Sequence, residues 1–118
     1  MTASPLPIRN FSMEQDLQGL VRLLNETAIA ERTGVITHIA ELQAGMQLPG
    51  HDPNQDCFVA AFPDDPAHLA GYAAAWVAPG RRGASISVHV RPRWRSQGLS
   101  SALLERILAR SSELDASQ

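Results

Sequence analysis

From Met13 onward the apolar side chains fall at Leu17, Leu20, Val21, Leu24 and Ala28, the three-and-four spacing that gathers one stripe along a helix. Ser12 precedes that stripe and Gln15 stands three positions on. This is a capping-box pattern, in which each side chain satisfies a free amide of the first turn. Ahead of it, Pro5 and Pro7 flank Leu6 and Ile8, which is compatible with a short first strand. A second helix is predicted over residues 37–48, from Thr37 to Leu48, with Ile39, Leu42 and Met46 on one face; Gly45 weakens it and Pro49-Gly50 ends it.

The period then changes. Residues 57–62 and 69–77 are apolar runs separated by Pro63-Asp64-Asp65-Pro66, which reads as a turn, so the pair predicts an antiparallel hairpin. After a further turn at Pro79-Gly80, Ala84, Ile86, Val88 and Val90 alternate with Ser85, Ser87 and His89, the period of a strand. From Ser100 the helical period returns through Leu103, Leu104, Ile107 and Leu108, and residues 111–118 read as a polar tail. The order β-α-α-β-β-β-α predicts an α/β fold of the α+β type, with helices layered on a mainly antiparallel sheet.

A length of 118 residues suits one domain, expected over residues 1–118. Hydrophobic residues at 44% and charged residues at 19% describe a globular chain rather than a disordered one. No apolar run approaches the ~18 residues of a membrane span, and the N-terminus has neither the basic start nor the apolar segment of a secretory signal. The single cysteine, Cys57, forms no internal disulfide, and a cytoplasmic location is expected.

Charge is unevenly spread. Residues 1–80 hold nine acids against three arginines, whereas residues 81–118 hold seven arginines against three acids. Arg81, Arg82, Arg91, Arg93 and Arg95 fall within fifteen positions, and the chain has no lysine. The genome's base composition explains the absence of lysine; the clustering points to an anionic ligand near the C-terminal third, since arginine pairs with phosphate through a rigid fork. A solvated basic face is the competing reading of such a cluster.

Between the alternating strand and the last helix runs Val90-Arg91-Pro92-Arg93-Trp94-Arg95-Ser96-Gln97-Gly98-Leu99-Ser100-Ser101. A helix start offers unpaired amides and the positive end of the macrodipole. The small residues Ser96, Gly98, Ser100 and Ser101 let that backbone approach phosphate oxygens, with Arg95 at the mouth to cover remaining charge.

In this register the chain resembles the GNAT N-acetyltransferase family, whose phosphate loop reads Gln or Arg, two residues, Gly, any residue, then Gly or Ala, usually a few residues after a proline. Pro92, Arg95, Gly98 and Ser100 occupy those positions, Ser100 departing from the usual Gly or Ala. Ile8-Arg9 with the helix carrying Asp16-Leu17, then Phe58-Val59-Ala60 and Leu69-Ala70-Gly71-Tyr72-Ala73, are similar to the family's earlier elements, so the resemblance covers residues 8–110. It implies an acetyl-coenzyme A cosubstrate and no metal. The backbone of Val88, His89 and Val90 would hold the pantetheine arm like an added strand, and Ser96, Gln97, Gly98, Leu99, Ser100 and Ser101 would hold the pyrophosphate with Arg95. The implied reaction is direct attack by an amine on the acetyl thioester, with a base for the amine and a donor for the thiolate.

His89 is the one titratable side chain on the cofactor strand and a candidate base, against the plainer reading of a solvent-facing or hydrogen-bonded histidine. His38, His51 and His68 lack ligand spacing, Cys57 reads as a buried apolar residue, and Tyr72 as core. Trp94 reads as a cover for the helix start. The family pattern continues past the last helix with further strands, so the sequence suggests either a fragment of a longer protein or a chain completed by a second copy, with a homodimer expected through the open strand edge. An N-acetyltransferase acting on an amine acceptor, inactive if the remaining elements are needed, is the leading expectation. A non-catalytic coenzyme A-binding module is the alternative. Nucleic acid is a weak third partner, because Trp94 alone interleaves the arginines, and no membrane partner is expected.

Overall fold

The computed structural model describes residues 5–34, 36–47, 51–77 and 83–116. Strand β1 spans Ile8–Asn10, followed by helices α1 (Met13–Glu31), α2 (Ile39–Met46) and the single turn α3 (Pro53–Asp56). Strands β2 (Cys57–Phe62), β3 (Asp65–Trp76) and β4 (Ser85–Val90) come next, then a 3-10 segment (Pro92–Gln97) and helix α4 (Leu99–Ala116). The strands lie side by side in chain order, each antiparallel to its neighbour. The mixed α/β architecture matches the sequence reading, with α3 and the 3-10 segment added.

Strand alternation gives the sheet two apolar faces. On one, Val59, Leu69, Tyr72 and Ala74 pack with Phe11, Leu20, Leu23 and Met46 from the α1–α2 side. On the other, Ala60, Ala70, Ala73, Ala75 and Val90 receive Leu99, Leu103 and Ile107 of α4. The alanines of that second face let the leucines of α4 come close. Gly71 takes this furthest: a Cβ there would stand 2.7 Å from Leu103 Cδ1. Gly19 does the same for α1, where a Cβ would meet Ala67 O at 2.5 Å.

Several local expectations are corrected. Ser12 is the N-cap of α1 but makes no side-chain cap bond. The reciprocal half of the motif falls to Asp16 instead of Gln15: its Oδ2 accepts the Ser12 amide at 2.8 Å while its two oxygens take Arg9 Nη1 and Nη2 at 2.6 and 2.8 Å. A carboxylate already paired with a guanidinium accepts more strongly than a neutral amide, and it sits well at the positive end of a helix. Helix α1 also runs past Ala28 to Glu31, ending where Arg32 turns left-handed at φ 56° and Thr33 N donates to Ala28 O at 3.1 Å.

Helix α2 is shorter than the 37–48 expected. Thr37 is held outside it, donating its amide to Asn25 Oδ1 at 2.6 Å and accepting Asn25 Nδ2 at 3.0 Å. Ile39 is exposed, while Met46 is buried. The hairpin turn is Pro63-Asp64 alone, since Phe62 already pairs with Asp65. Pro49-Gly50, Pro79-Gly80, Arg81 and Arg82 lie outside the described residues.

The polar tail expected at 111–118 is helical as far as Ala116. Arg110 explains this. Its Nε and Nη2 donate to Asp56 Oδ1 at 2.9 and 2.8 Å, its Nη1 pairs with Glu113, and Leu114 packs onto the α4 face of the sheet.

Candidate functional site

Strand β4 pairs with β3 through Val88, His89 and Val90 opposite Ala73, Tyr72 and Gly71, and no strand lies on its other side among the described residues. Arg91 N extends the pairing to Ala70 O at 2.9 Å. The stretch expected as an open loop then tightens into the 3-10 segment, begun by Pro92, whose missing N–H costs nothing at that position. Trp94 N donates to Arg91 O at 2.8 Å, and its ring meets Phe62 edge-on at 5.6 Å, half-buried over the α4 core. It covers the approach to the helix, as expected.

Gly98 closes the turn at φ 85° and ψ 0°, a left-handed conformation that suits glycine and reverses the chain into α4. The α4 ladder opens with Ala102 N donating to Gly98 O at 3.1 Å. The amides of Leu99, Ser100 and Ser101 therefore stand ahead of it at the helix mouth. Leu99 is fully buried and fixes this start in the core, while Gln97 and Ser101 are exposed and Gly98 and Ser100 half-buried. The backbone of Ser96 lies in the 3-10 turn. The amides ahead of the ladder are a donor set that fits a pyrophosphate, and no acidic residue occurs in the sequence from Arg91 to Leu104.

The arginines are placed differently from the sequence reading, which put Arg95 over the loop mouth. Arg95 Nε donates to Val90 O at 3.1 Å and Nη2 pairs with Glu31 of α1. Arg91 Nε donates to Leu69 O at 2.7 Å and its Nη1 pairs with Glu26, also on α1; burial lowers its pKa. Two of the five clustered arginines are thus answered by acids 64 or 65 positions earlier in the chain, the Arg95–Glu31 separation being 64.

His89 lies on the α1 side of the sheet, opposite in sense to Val88 and Val90, as alternation predicts. Its ring stacks on Tyr72 at 6.4 Å and 23°. Burial lowers its pKa, with Glu31 pulling the other way, so the imidazole is neutral at neutral pH.

A second constellation had no sequence signal except Asp52-Pro53, a helix-capping acid before a first-turn proline. Cys57 Sγ lies 3.3 Å from the Tyr72 hydroxyl and 3.9 Å from His51 Nε2, and His51 Nδ1 is 3.3 Å from Asp56 Oδ2 but makes no hydrogen bond. The order cysteine, histidine, aspartate suggests a nucleophile. The environment opposes it: burial outweighs the Tyr72 hydrogen bond and pushes the thiol up to about 12, leaving little thiolate. Cys57 is buried as expected, and polar contacts accompany that burial. Among the described residues no group of three or more His, Cys, Asp or Glu side chains could hold a metal ion, and no helix is long and apolar enough to cross a membrane.

Strand β4, the turn at Gly98 and helix α4 thus pack together on an antiparallel sheet. Residues 17–117 match the sequence model of the Acetyltransferase (GNAT) family, and the chain belongs to that family. Solved structures show the same fold. A GCN5-related N-acetyltransferase from Sphaerobacter thermophilus matches with a TM-score of 0.71 at 21% identity, over 99% of this chain and 34% of its own. A protein described as a putative phosphinothricin N-acetyltransferase matches at 0.73 and 21%, over 93% of this chain and 68% of its own. Ard1 from Thermoplasma volcanium matches at 0.66 and 20%, over 92% and 65%. The chain therefore spans a third of the first structure's length and about two thirds of the other two. No curated protein matches it.

Proposed function

We propose that the chain binds acetyl-coenzyme A at the turn between β4 and α4 and serves transfer of the acetyl group to an acceptor amine. The observation that carries this reading is Gly98 at φ 85°, which turns the amides of Leu99, Ser100 and Ser101 outward in a stretch without acids. Family membership supports the reaction class.

The bound cosubstrate would supply an activated acetyl thioester. The backbone of residues 96–101 holds the pyrophosphate, and the edge of β4 at Val88, His89 and Val90 holds the pantetheine arm as an added strand. Hydrogen bonds to charged groups contribute roughly 1.5–3 kcal/mol each, against about 0.3–1 for the helix dipole, so several amides outweigh one side chain. His89, kept neutral by burial, is able to accept a proton from the amine.

Calorimetry with coenzyme A tests the binding half: Gly98→Asp is expected to abolish binding, because a side chain there holds phosphate off every amide at once, while Arg95→Ala leaves measurable affinity. Equal losses, or no binding by the unmodified chain, count against the assignment. Thiol release from acetyl-coenzyme A over a panel of amines tests the chemistry, with His89→Ala lowering it. A chain that binds but releases no thiol is a coenzyme A-binding module.

A further inference from the structure

The arginines flanking the 3-10 segment are held to different degrees. The Arg91 side chain is 15% exposed and combines its bond to Leu69 O with a pair to Glu26, which is itself 55% exposed. Arg95 is 42% exposed and its partner Glu31 is 48% exposed. Both guanidiniums bond a backbone carbonyl through Nε, so what separates them is how far the arginine itself stands in water, and the pair of the more exposed arginine contributes less and exchanges more readily. Both acids come from α1, five residues apart, so one helix supplies an acid to a half-buried arginine and another to an exposed one.

The face that a guanidinium offers a carboxylate is the face it would offer a phosphate. An anion approaching the amides of Leu99, Ser100 and Ser101 therefore meets Arg95 already engaged. Arg95 also occupies the carbonyl of Val90, one of the edge groups to which an added strand would bond.

We propose that Glu31 is an internal competitor for the ligand's phosphates, holding Arg95 against β4 until a pyrophosphate-bearing ligand draws the guanidinium away, while Arg91 and Glu26 stay paired. One side-chain movement then frees the Val90 carbonyl and brings positive charge to the loop. The inference rests on reading the loop as a pyrophosphate site, and it makes Glu31 a residue that sets affinity without touching the ligand.

A double-mutant cycle tests it, with coenzyme A titrated at low ionic strength into the unmodified chain, Glu31→Gln, Arg95→Ala and the double variant. Glu31→Gln is expected to tighten binding about 1.5- to 5-fold, the range of an exposed ion pair. In the Arg95→Ala background the same change is expected to do nothing. The tightening should shrink as salt screens the pair. A gain of equal size in both backgrounds would mean that Glu31 acts only through net charge, and overturns the proposal; so does no gain in either. Absence of binding in all four proteins removes the pyrophosphate assignment and this inference together, whereas binding without coupling removes the inference alone.

Discussion

In the last turns of α4, Arg110 places two guanidinium bonds on a carboxylate that is 2% exposed, and that carboxylate's other oxygen accepts the Asp52 amide at 2.9 Å. At the first turn nothing comparable exists. Leu99 is buried, but the polar partners there are the exposed Arg95–Glu31 pair and amides ahead of the ladder. The C-terminal end is tied by charge withdrawn from water, where an uncompensated partner is costly, and the N-terminal end by groups that water or a ligand can replace. Hydrogen-bonding capacity is thus left at the end facing the strand edge, and the helix is steadied from the other.

The contrast is broken most severely at Asp56. Asp56→Ala leaves Arg110 without its buried partner and is expected to lower unfolding free energy by about 3 kcal/mol, the lower end for a broken buried pair because Arg110 is 23% exposed. Truncating Arg95 is expected to cost under about 1 kcal/mol. Urea denaturation of both variants measures the difference, and similar losses would show that the two ends are held alike.

A smaller effect is expected in the second turn of the helix. Gly71→Val forces a Cβ into the space of Leu103 Cδ1, and Leu103 is fully buried, so the Leu103 side chain, or α4 with it, must shift. Overpacking of this kind costs about 1–3 kcal/mol. Coenzyme A affinity should fall as well where the shift is taken up by α4, because that helix carries the loop amides with it. Unchanged affinity alongside lowered stability would separate the helix body from its start.

The smallest effect is expected beside the loop. His89 has a folded-state pKa below its ordinary 6.5, so on acidification the unfolded chain takes up the proton first. This contribution is full above that value and is lost as pH falls from it toward the folded pKa. His89→Gln should flatten the slope of stability against pH in that window and leave it unchanged above. A slope that persists assigns the acid sensitivity to other groups.

Local periodicity made much of this legible. The alternation of residues 84–90 placed His89 and Val90 on opposite faces, and the small residues around Gly98 located the turn into α4. Pairings across long separations left no trace in a pattern read over a dozen residues. Asp56 meets Arg110 at a separation of 54 and Glu31 meets Arg95 at 64, so neither the extra turns of α4 nor the restraint on Arg95 was visible. The cap partner follows the same rule: the capping motif marks Gln15 by position alone, while Asp16 takes the role with Arg9, seven residues upstream, paired to it.

The clasp between Asn25 and Thr37 bears on how the chain is held after α1. One amide side chain reads both the donor and the acceptor of a backbone unit, fixing where the chain rejoins the body after α1. The short span from Arg32 to Ile36 is thereby bracketed by the end of α1 and by that clasp. Because the clasp reaches back into the body of α1, Thr37 is pinned to that helix directly rather than through the span that precedes it.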